Sequence, residues 1–73
     1  MSLYQDITTL SKPYLGAETE QFIARQCRTY LNIQPEALEK KHLAVLAEWV
    51  EMGATRFVSS DKAKELAAKI ARH

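Results

Sequence analysis

The sequence predicts an all-α fold: a compact bundle of four helices, one of them short, packed layer on layer around a single core. Three observations predict it. Apolar residues recur at spacings of three and four along most of the chain, the period of a helix face. Only two glycines and two prolines interrupt 73 residues rich in Ala, Leu, Glu and Lys, a composition that favours helix. Hydrophobic residues are 47% and charged residues 26%, which is enough apolar material for a core and far from a disordered composition. This length has room for one core and not two, so residues 1–73 read as a single helical domain.

Leu3, Ile7, Leu10 and Tyr14 lie on one face of a short first helix. Pro13 does not suit a helix interior, so this helix is expected to end near Ser11, with Lys12–Gly16 forming a bend. Glu18 and Glu20 then fall in the first turn of a second helix, where the macrodipole favours acids. Its apolar face is Phe22, Ile23, Cys27, Tyr30 and Leu31, with Arg25 and Arg28 pointing away, and Asn32 is the expected stop. Pro35 suits a first helical position after a Gln34 cap, with Ile33 and Leu38 spaced as a hydrophobic staple. Helix is expected from there to about Val58, broken near Lys40–Lys41 into a short turn and a long helix. The last helix starts at Ser59 or Ser60, carries Asp61 in its first turn, and shows Ala63, Leu66, Ala67 and Ile70 on one side.

The third helix is the most informative. On a wheel of about 100° per residue, Leu43, Leu46, Val50, Gly53 and Phe57 form a seam, and Val45, Trp49 and Met52 form a second stripe beside it. Together they exceed half the circumference, whereas a surface helix usually shows a stripe of about 100° or a little more. Either this is the central helix, with seam and stripe covered by different neighbours, or the bundle is too small to cover both. In the second case Val45, Trp49 and Met52 remain as a contact surface, and Trp and Met are residue types that interfaces favour. Gly53 suits close approach of a neighbouring helix.

Reactive chemistry is hard to assemble from this sequence. Cys27, His42 and His73 stand 15 and 31 residues apart with no local ligand pair, so no metal site is expected. Cys27 lies on an apolar face, where burial raises a thiol's pKa, and nothing suggests a third group to orient a Cys27–His42 pair. Glu48 and Glu51 share a polar arc and read as a solvated face. With only Gly16 and Gly53 there is no glycine-rich phosphate loop, and Ser59–Ser60–Asp61 reverses the order of a carrier domain's Asp-Ser attachment site. Neither enzymatic activity nor a cofactor or small-molecule substrate is expected.

The formal charge is +1, and no run of like charges forms a polybasic arm. Ile23–Ala24–Arg25–Gln26 resembles the opening of a helix-turn-helix, but in that register Arg28, Thr29 and Gln34 fall where small or apolar residues belong. The first ten residues lack a signal-peptide pattern and the longest apolar run is Leu43–Ala47, so no membrane association and a cytoplasmic location are expected by default. A lone cysteine gains nothing from an oxidising compartment.

The leading expectation is therefore a non-catalytic protein–protein interaction module, a small homodimer or an adaptor, with Val45, Trp49 and Met52 as its contact stripe. The alternative is a small nucleic-acid-binding regulator using Arg25, Arg28, Lys62, Lys69 and Arg72.

Overall fold

The computed structural model describes residues 2–73, all of them in helices, turns or short connections. The α-helices are α1 (Leu3–Leu15), α2 (Thr19–Gln26), α3 (Leu43–Ala54) and α4 (Ser60–Arg72). The expected all-α bundle is present, and its short member is α2.

α1 begins where Ser2 Oγ accepts from the Gln5 N–H at 3.2 Å. It does not stop at Ser11 but runs through Pro13 to Leu15, so no bend occupies 12–16. Pro13 sits in the last turn and removes only the bond that would reach the Thr9 carbonyl, and Thr9 is exposed, where water can serve that oxygen. Burial of Leu15 favours the extra turn. The stop is Gly16, whose φ of 68° lies in the left-handed region that suits glycine.

α2 follows a 3₁₀ turn (Gly16–Glu18) and widens into a π-turn over Cys27–Leu31, ending at left-handed Asn32 as expected. The Cys27 carbonyl accepts from both Asn32 and Ile33 N–H groups. The extra residue in this turn carries Tyr30 out of line with Ile23 and Cys27, so Tyr30 is exposed and not core.

Pro35 opens only a single 3₁₀ turn (Pro35–Ala37), and the break falls at Leu38–Glu39, before the expected Lys40–Lys41. Without an α-helix there is no staple, although Ile33 and Leu38 both pack on the core. A second 3₁₀ turn (Lys40–His42) leads into α3, and the Glu39 N–H donates to His42 Nδ1 at 3.0 Å.

α3 and α4 form an antiparallel hairpin with the most extensive helix contact in the fold. Small residues (Ala47, Ala54, Ala63 and Ala67) are buried in it and let the two backbones approach. Leu46, Val50, Leu66 and Ile70 complete its interior. Ser59 caps α4, its Oγ accepting from the Lys62 N–H at 3.3 Å. α1 closes one side through Ile7 and Leu15, and α2 another through Ile23 and Cys27, so all four helices share one buried cluster.

At Gly53 two side chains of α2 pack close against α3. A Cβ there would lie 2.8 Å from Cε1 and Cζ of Phe22 and 3.3 Å from Gln26 Nε2. Gly53→Ala gains about 1 kcal/mol of helix propensity but forces back a ring held against Phe57, an overpacking cost of about 1–3 kcal/mol. A net loss near 1 kcal/mol is expected in urea denaturation, and a gain would mean that the ring moves freely.

Candidate functional site

α3 turns Leu43, Leu46, Ala47, Val50 and Ala54 inward. The second stripe faces out: Val45 is 44% exposed and Met52 is 66% exposed. Trp49 between them is half-buried, and the Tyr30 ring lies flat upon it, 4.0 Å between centroids and 9° between planes. Of the two explanations for the wide apolar arc, coverage by neighbouring helices therefore fails for Val45 and Met52 and holds in part for Trp49. Phe57, placed in the seam by periodicity, lies beyond the end of α3 in the turn to α4 and is 44% exposed.

Tyr30 also ends a groove of ≈ 370 Å³ between α2 and the C-terminal half of α3. Antiparallel packing builds it, bringing Phe22 and Gln26 to Gly53 and Tyr30 to Trp49. Phe22 and Phe57 meet edge to face at 5.6 Å and 81°, forming the apolar wall. The Gln26 carboxamide closes the floor; it is 6% exposed, and its Oε1 has no hydrogen-bond partner among the described residues. Arg25 and Arg56 line the groove at exposed positions, and Glu18 is the one acid in the lining. Neither arginine is in an ion pair among the described residues. Periodicity identified neither Gln26, Arg56 nor Phe57 as groove residues, because they meet only when the turn after α3 folds beside α2.

The other cations of the nucleic-acid alternative do not join this groove. Arg28 is exposed beside Tyr4 and Glu20. Lys62 and Lys69 each lie 3.8 Å from Glu65, and the Lys69 ammonium sits 5.1 Å from the centre of the Tyr14 ring. Arg72 is in the last turn of α4.

Tyr14 ties α1 to this α4 cluster by donating its hydroxyl proton to Glu65 Oε2. That bond, then Lys62 and Lys69, hold the Glu65 carboxyl below the usual carboxylate range, and Tyr14 holds Lys69 above its ordinary value. A carboxyl lowered in the folded state adds stability above its ordinary pKa and loses it as pH falls through the lowered value. Tyr14→Phe should therefore reduce the difference between urea midpoints at pH 7 and pH 3. An unchanged difference would mean that this bond does not set the Glu65 titration.

Cys27 is fully buried, and desolvation raises its thiol pKa against a smaller lowering by Arg28. His42 is engaged locally by the Glu39 N–H and makes no hydrogen bond to Cys27. His73 closes the last turn of α4 through its N–H to the Ile70 carbonyl, and its Nε2 lies 3.7 Å from the Asp6 carboxylate. Among the described residues no three His, Cys, Asp or Glu side chains gather as metal ligands, and no helix is long and apolar enough to cross a membrane. No family model matches this chain, and comparison with curated proteins and with solved structures finds no match.

Proposed function

We propose that this chain is a non-catalytic helical interaction module whose contact surface is the outer stripe of α3, Val45, Trp49 and Met52. The observation that carries this reading is the exposure of Val45 and Met52 on either side of a half-buried Trp49 ring on which Tyr30 stacks. An apolar stripe of this kind, spaced four and three along one helix, is a surface that a second protein dehydrates on binding. Trp49 supplies a broad anchor already ordered by its stack, which limits the entropy lost on association. Met52 supplies an adaptable neighbour.

The partner is a second copy or another protein in the same cell, and the two are told apart by light scattering across a wide concentration range. Self-association raises the mass from 8.3 kDa toward twice that value. Met52→Asp then returns it to monomer without changing helicity. A chain that stays monomeric leaves a foreign partner, captured from lysate by the wild type and not by Met52→Asp. If Met52→Asp changes neither the mass nor the capture, the stripe is not the contact surface.

A further inference from the structure

From its lining, we infer that the groove between α2 and α3 binds an acidic peptide segment carrying an apolar or aromatic anchor residue. This rests on the reading of the chain as a protein-interaction module and names the chemistry of one partner. The groove adjoins the α3 stripe through Tyr30, which stacks on Trp49 and lines the groove as well.

Charge complementarity identifies the ligand. Arg25 on α2 and Arg56 after α3 line the groove at exposed positions without ion-pair partners among the described residues, whereas Lys62 and Lys69 on α4 share Glu65. Guanidinium groups bind carboxylates in a planar, two-pronged geometry, and two such groups in one groove lining fit a ligand with more than one acid. In the same lining, Phe22 and Phe57 offer an apolar wall for an anchor side chain. Below them the Gln26 oxygen is an enclosed acceptor without a donor. A carboxamide turns readily about its last torsion, so a backbone N–H entering the groove can supply what Gln26 lacks. Glu18, the one acid in the lining, is outnumbered by the two arginines.

A nucleic acid fits less well. Binding to single strands uses free aromatic faces and a track of cations for successive phosphates. Here two arginines, with Glu18 beside them in the lining, make no track for successive phosphates.

The test is a titration of the ¹⁵N-labelled full chain at low salt. The probe is a blocked decapeptide with one phenylalanine flanked on each side by a pair of glutamates. Saturable shifts are expected at the Gln26 side-chain NH₂, Gly53 and Arg56. Arg25→Glu with Arg56→Glu, both at exposed positions, should weaken binding at least about tenfold, and the same peptide with lysines for glutamates should not bind. The proposal is overturned by no shift at millimolar peptide, by shifts confined to α4, by equal binding of the double variant, or by a single-stranded oligonucleotide that binds these signals more tightly. Met52→Asp, which lies outside the groove, should bind the peptide as the wild type does. A chain that associates through the stripe but takes no peptide overturns this inference alone. A chain that takes peptide while Met52→Asp changes no association overturns only the stripe.

Discussion

Leu46→Ala is expected to lower the thermal midpoint of the chain by about 10–40 °C. Leu46 is fully buried on the inner face of α3, within the cluster that all four helices share. Truncating such a leucine removes its transfer free energy and leaves a cavity, together worth about 2–5 kcal/mol. A chain of 73 residues has roughly 4–11 kcal/mol in total, so the loss takes much of the margin. At about 4–8 °C per kcal/mol for a domain of this size, thermal denaturation should show a large fall in midpoint. A fall of only a few degrees would mean that α3 moves to close the gap.

Gln26→Met should act in the opposite direction. Gln26 makes no side-chain hydrogen bond among the described residues, and its Oε1 lies buried without a partner. A polar group in that position keeps its desolvation cost with nothing to offset it, about 1–3 kcal/mol. Methionine fills nearly the same unbranched shape with no such cost, so urea denaturation should show a gain of about 1–2 kcal/mol. A loss would indicate that the carboxamide has a partner in solution, such as a trapped water. A substitution that stabilises the fold while weakening the groove for the proposed acidic peptide is the trade expected where a binding group is kept at the expense of stability.

Local signals made some of the fold legible. Ser59 with Asp61 marks the start of α4, and Ala63, Leu66, Ala67 and Ile70 mark its inner face, all as the structure has them. Asn32 marks the end of the π-turn for an equally local reason. Pro13 misleads because its cost depends on whether Thr9's carbonyl meets water, which a sequence does not record. The π-turn is invisible to any fixed period, and missing it assigns Tyr30 to the interior. Phe57 is misplaced because α3 ends at Ala54 and the wheel no longer applies three residues later. Ser11 and Gln26, both buried polar residues with an unpartnered oxygen, carry no apolar pattern to reveal them. The α3 stripe was legible as surplus apolar surface. The groove was not, because its walls come from residues up to 39 apart, Glu18 to Phe57, brought together only by antiparallel packing.

The burial of Cys27 gives the chain a built-in clock. Its sulfur is sealed from solvent and its thiolate disfavoured, so a thiol reagent reaches it only while α2 stands away from the rest. When closing outruns the reagent, the modification rate divided by that of a free thiol is the fraction of time spent open. That ratio can be read in a crude lysate, without denaturant, at the protein's own concentration. A partner that holds α2 in place, whether on the α3 stripe or in the groove, would slow the clock in proportion to its binding.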